Sequence, residues 1–203
     1  MAVGILGGVF DPPHVGHVAL ARAALRELDL DELLVLVVAA PGHKLSTTPA
    51  ELRLELARLA FADVRGAVVE LDPHARTVDS LEERRPVDAY FVLGADELAA
   101  FLSWKSPRRV LELARLAVAV RPGVDPAELD AVRARLGADD RIVDFELEPV
   151  DASSSEIRRR VARGEPIDDV VPLDVAAEIA RLGLYRTPEY TAVDPDQDPE
   201  RAT

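Results

Sequence analysis

Gly7-Gly8-Val9-Phe10-Asp11-Pro12-Pro13-His14-Val15-Gly16-His17 follows directly on an apolar run that ends at Leu6 and leads into a helical pattern of Val, Ala and Leu. The segment reads as a strand, a turn and the start of a helix. Its glycines let the backbone come close to a ligand without Cβ clashes, and its prolines stiffen the turn. Two histidines fall at the helix entrance, where N–H groups without intrahelical partners favour anions. The junction suits a nucleoside triphosphate.

Working outward, Val3–Leu6, Leu33–Val38, Ala67–Leu71, Ala89–Leu93, Leu116–Val120 and Ile142–Phe145 are short apolar runs rich in β-branched residues, and most read as strands buried on both faces. Helical patterns lie between them. Thr48-Pro49-Ala50-Glu51 and Asp125-Pro126-Ala127-Glu128 each offer an N-cap, a proline in the first turn and a glutamate three residues after the cap. Gly164 and Gly183 are placed to end the last two helices. This alternation predicts an α/β fold, a doubly wound Rossmann-like parallel sheet with helices on both faces and a ligand crevice at the carboxyl ends of the strands. Residues 1–186 are expected to form a single domain, and the Pro-, Asp- and Glu-rich residues 187–203 a disordered acidic tail.

A chain of 203 residues with 48% hydrophobic residues suffices for one well-buried core. The absence of cysteine excludes disulfides, thiolate nucleophiles and cysteine-ligated zinc. No stretch reads as a signal peptide or membrane span, so a cytoplasmic protein is expected. A net charge of −13 argues against nucleic-acid or anionic-lipid partners. It also gives weight to the few cations beside glycine turns, namely His14, His17, Lys44, Arg121 and Arg158.

A second segment, Ser153-Ser154-Ser155-Glu156-Ile157-Arg158, opens another helix, where hydroxyls, free amides and an always charged guanidinium can meet phosphate. A simple serine cap followed by a solvated arginine is the competing explanation. The two segments together resemble the HxGH and I-S-S-T-x-I-R signatures of the nucleotidyltransferase superfamily, with Ala152 where isoleucine is usual. That superfamily joins a nucleoside triphosphate to a phosphorylated partner and releases pyrophosphate. The resemblance implies ATP contacts at Gly7, Gly8, Phe10, His14, Gly16, His17, Gly94, Asp96, Ser153, Ser154, Ser155 and Arg158. His14, His17 and Arg158 would carry the catalytic role.

Thr77-Val78-Asp79-Ser80-Leu81, Gly94-Ala95-Asp96, Trp104, Arg121-Pro122-Gly123 and Gly183-Leu184-Tyr185 match in order segments of the bacterial nicotinate mononucleotide adenylyltransferases, so the similarity spans nearly residues 1–186. In that family the tryptophan stacks on the pyridine ring, and backbone amides near the Thr-x-Asp and Trp segments receive the nicotinate carboxylate. Carried over, Lys44, Thr77, Asp79, Trp104, Lys105 and Arg121 form the acceptor side. The resemblance implies transfer of AMP from ATP to nicotinate mononucleotide. Mg²⁺ would be held mainly by phosphates, with no metal ligands from the protein, and a homo-oligomer is compatible with it. Val9 stands where the family often has threonine, Gly42 replaces a proline of the P-P-H-K loop, and His74-Ala75-Arg76 replaces the usual residues before Thr77. These departures lie mostly near the acceptor. The alternatives are transfer to nicotinamide mononucleotide or phosphopantetheine, or a non-catalytic nucleotide-binding homologue. A dinucleotide-dependent oxidoreductase would want G-x-G-x-x-G at the first turn, which is absent.

Overall fold

The computed structural model describes residues 2–41, 48–121 and 126–186. Six strands, β1 (Val3–Gly8), β2 (Glu32–Val38), β3 (Ala67–Asp72), β4 (Tyr90–Gly94), β5 (Arg115–Val120) and β6 (Ile142–Glu146), form one sheet in the order β3-β2-β1-β4-β5-β6. Every pairing is parallel. All six strands expected from the apolar runs are present, with ends shifted by two residues at most.

Parallel strands need crossovers, and helices supply them. Along one face lie α1 (Val15–Glu27), α2 (Ala50–Phe61), α7 (Ser154–Ala162) and α8 (Leu173–Leu182). Along the other lie α3 (Thr77–Arg84), α4 (Ala95–Ala100), α5 (Pro107–Leu113) and α6 (Pro126–Leu136). The strand period of two divides the residues cleanly between the layers. Leu6, Val35, Val37, Val92, Ala117 and Phe145 point into the first core, while Ile5, Leu36, Phe91, Leu93, Leu116 and Ile142 point into the second. Full burial of a leucine such as Leu33 or Leu116 contributes about 2 to 3 kcal/mol.

The order of strands reverses between β1 and β4, and their pairing is short. It covers only Gly4↔Tyr90 and Ile5↔Phe91, although β1 continues to Gly8 and β4 to Gly94. Their carboxyl ends therefore part from each other. A cleft of about 1160 Å³ opens there, where a doubly wound sheet is expected to bind ligands.

Helix boundaries mostly follow the sequence. Gly183 caps α8, and Gly164 lies one residue beyond the Arg163 cap of α7. The start of α2 differs: Pro49 is its N-cap, and Thr48 is buried with its carbonyl taken by Arg53. Asp125 and residues 187–203 lie outside the described residues. Among the described residues no helix is long and apolar enough to cross a membrane.

Candidate active site

The turn after β1 is fastened from behind. Tyr185, fully buried, donates its hydroxyl to Asp11 Oδ1 at 2.7 Å, Ser154 Oγ donates to the Pro12 carbonyl at 2.8 Å, and Arg158 Nη1 donates to the Asp11 carbonyl at 2.5 Å. The Asp11–Pro12 peptide is cis. Burial, then the Asp11 charge, push the Tyr185 phenol well above its ordinary range, so it stays a neutral donor. The two glycines divide their labour. Gly7 is exposed toward the cleft, whereas a Cβ on Gly8 would sit 2.8 Å from the Phe10 ring. Phe10 itself is buried, edge-on to Phe61 at 5.8 Å and to His17 at 4.9 Å. Only its backbone is suited to the ATP role implied for it.

His14 and His17 stack at the entrance of α1, with ring centroids 3.7 Å apart and planes inclined at 29°. The His14 backbone N–H donates to His17 Nδ1 at 3.2 Å. An imidazole nitrogen that accepts carries no hydrogen, so neutral His17 keeps its proton on Nε2. Burial, reinforced by the Arg121 charge, lowers the His14 pKa to about 4. His14 is therefore a neutral hydrogen-bonding ring at pH 7, and with its Nδ1 buried it forms a reciprocal capping box with His17 at the start of α1. A Cβ on Gly16 would lie 3.0 Å from that nitrogen, so glycine is what lets the ring lie over the helix entrance. The positive charge comes instead from Arg121 and Arg158, which line the same cleft.

The serines of the second segment have separate tasks. Ser153 caps α7 by accepting from the Glu156 amide at 3.2 Å, as the competing explanation required, and Ser154 ties down Pro12. Ser155 makes no side-chain hydrogen bond among the described residues. Arg159 and Arg160 form ion pairs with Glu156 and Asp169; both arginines are half-buried rather than fully solvated. Asp96 is exposed on the cleft wall, and Gly94 rather than Asp96 is the N-cap of α4, which leaves that carboxylate for a ligand.

On the acceptor side, Thr77, Trp104 and Lys105 line the cleft. Trp104 is half-buried, tilted against Phe101 at 5.1 Å and edge-on to Phe91 at 5.9 Å, a rigid seat for a flat ring. Asp79 and Lys105 pair with each other, Nζ lying 2.7 and 3.0 Å from the two carboxylate oxygens, so they brace the Trp104 loop against α3. Asp79 is not among the cleft-lining residues. Arg121 lines the same cleft, 4.0 Å from the position a Cβ on Gly94 would occupy and within electrostatic reach of His14. Lys44 lies outside the described residues.

Sequence reasoning missed Arg53, the largest fully buried side chain, whose fork holds four backbone carbonyls beneath the cleft. A signal was present. Arg53, Leu56, Ala57, Ala60 and Phe61 are the buried stripe of α2, so the helical period places an arginine where a core residue belongs.

The cytidylyltransferase-like family profile matches residues 5–160. A protein of Rubrobacter xylanophilus named as a nicotinate-nucleotide adenylyltransferase is 39% identical over 198 residues, covering 92% of this chain and 92% of that relative. The chain belongs to the nicotinate-nucleotide adenylyltransferase family. A second such relative, from Thermus thermophilus, is 38% identical over 92% of this chain and all of its own length. The fold of this family member is also that of Plasmodium falciparum nicotinic acid mononucleotide adenylyltransferase, solved with APC and with NaAD. In each comparison the TM-score is 0.74, at 17% and 18% identity, covering 91% of this chain and 96% and 97% of the other.

Proposed function

We propose that this member of the family transfers AMP from ATP to nicotinate mononucleotide, forming deamido-NAD and pyrophosphate. An oxygen of the acceptor's phosphate attacks the α-phosphorus of ATP in line, and the bond to the β-phosphate bridging oxygen breaks. No protein nucleophile is required, so the protein contributes alignment and charge stabilisation. The observation that carries the reading is the stacked His14–His17 pair at the α1 entrance, facing one cleft with Arg121 and Arg158 on one side and Trp104 on the other. The sequence relatives named for this activity support it.

His17 Nε2–H and the neutral His14 ring donate to the triphosphate, while Arg158 and Arg121 balance charge that builds on the departing pyrophosphate. Ser155 and Asp96 serve ATP. Trp104 and the first turn of α3 at Thr77 receive the pyridine nucleotide, and we assign Lys44 to its phosphate. Among the described residues no group of three His, Cys, Asp or Glu could hold a metal ion. A divalent cation, Mg²⁺, carried mainly by phosphate oxygens, would neutralise charge in the transition state.

The test is to incubate the protein with ATP and Mg²⁺ and, in turn, nicotinate mononucleotide, nicotinamide mononucleotide or phosphopantetheine, measuring pyrophosphate and the joined product. Preferred turnover of the nicotinate compound is expected. Preference for another acceptor corrects the substrate, and no pyrophosphate with any of them removes the enzymatic reading.

A further inference from the structure

Arg53 is 1% exposed, lies on a helix that does not border the cleft, and has no part in the roles assigned above. Its Nη1 donates to the Val9 carbonyl at 2.7 Å and the Val38 carbonyl at 2.8 Å, its Nη2 to Ala39 at 2.9 Å and its Nε to Thr48 at 3.1 Å. Three of these acceptors are where β1 and β2 run out of the sheet, so their carbonyls have lost strand partners. An apolar side chain there would leave them buried and unpaired.

The peptide unit is planar and trans, so a carbonyl fixed in one direction sends the next N–H the opposite way. Ala39 shows this: with the Val38 carbonyl held by Arg53, the Ala39 amide points away and donates to the Asp72 carbonyl at 2.8 Å. The same logic applied to Val9 directs the Phe10 N–H away from Arg53, toward the cleft that Gly8, Val9 and Phe10 line. Burial opposes the guanidinium charge and the Asp11 carboxylate beside the same turn supports it. Arginine remains charged in such sites.

We infer that Arg53 is a positioning residue for nucleotidyl transfer: by gripping the carbonyls at the ends of β1 and β2 it aims the Phe10 amide at the triphosphate and places a fixed positive charge behind it. This rests on the reading of the cleft as an ATP site. Lysine keeps the charge but lacks the planar fork, and methionine lacks both.

The test compares R53K and R53M with the unaltered protein in ATP turnover, acceptor turnover and thermal unfolding, and checks the secondary structure of each variant at the assay temperature. R53K is expected to lose tenfold or more in kcat/KM for ATP with the acceptor KM within twofold, and R53M to lose more. Equal losses toward both substrates in folded variants, or unchanged ATP kinetics, overturn it. Should neither variant fold, nitrogen NMR of the unaltered protein decides. The buried Arg53 guanidinium signals and the Phe10 amide are expected to shift with a non-hydrolysable ATP analogue but not with nicotinate mononucleotide alone, and signals indifferent to the analogue overturn the inference. Failure of the unaltered protein to bind the analogue at all instead strikes the reading of the cleft.

Discussion

Arg158 donates from Nη1 to the backbone carbonyl of Asp11 at 2.5 Å across 147 residues of sequence. The histidine-bearing turn and the Ser/Arg helix are thus hydrogen-bonded parts of one site, and Ser154 to Pro12 is a second tie between them. Replacing Arg158 by lysine keeps a charge but not a fork that can hold Asp11 and a phosphate together. R158K is expected to lower kcat about 100-fold while circular dichroism stays native; a loss under threefold, by pyrophosphate release, would show that the fork is not used.

His17 has two tasks in this proposal: Nδ1 accepts from the His14 amide, and Nε2–H is assigned to the triphosphate. His17→Ala removes both and is expected to cost at least 100-fold in turnover. His17→Asn can restore an acceptor for the His14 amide, so it should recover stability but not rate. Full activity in the alanine variant would remove His17 from the mechanism.

His14 links stability to pH. Its pKa is about 4 in the folded protein against 6.5 for the free side chain. Between those values the unfolded chain takes up a proton that the folded one refuses. Stability from the neutral ring is therefore complete above pH 6.5 and falls as the pH drops toward 4, by about 3 kcal/mol at most. Urea unfolding at pH 7 and pH 4.5 should show a larger acid loss for the unaltered protein than for His14→Gln; identical losses would mean that His14 is not buried as a neutral group.

The strands were legible because each is a short apolar run that includes β-branched residues, a pattern that needs no tertiary knowledge and that holds even for the edge strands β3 and β6, which are only partly covered. The histidine turn was legible because glycine and proline at fixed spacing restrict the backbone. Other features depend on contacts between distant segments. Phe10 reads as part of a ligand turn, yet a positive φ of 53° and the bare Gly8 surface send its ring into the core. Asp79 and Lys105 read in sequence as separate charges, and the fold pairs them across 26 residues. Arg53 was hidden because an arginine in an amphipathic helix reads as solvated, and its acceptors lie up to 44 residues away.

Trp104 presents a ring already fixed by Phe91 and Phe101, so stacking costs little ordering. Trp104→Ala is expected to raise the KM for nicotinate mononucleotide about tenfold or more and to leave the KM for ATP within twofold. An effect confined to ATP would contradict the assignment of the two halves of the cleft.

Tyr185→Phe deletes the hydroxyl that donates to Asp11 Oδ1 and leaves a carboxylate that is 5% exposed one donor short. A loss of about 1 to 3 kcal/mol in unfolding free energy is expected, read by chemical denaturation. An unchanged midpoint would show that water or another group replaces the phenol without cost.

The central claim is that the β1–α1 junction grips a triphosphate, and a crystal structure with a non-hydrolysable ATP analogue tests it most directly. Phosphate oxygens are expected within hydrogen-bonding distance of His14, His17 and the Phe10 amide, with Arg158 alongside. Phosphates bound elsewhere, with that junction empty and both imidazoles turned into the apolar layer, would contradict it.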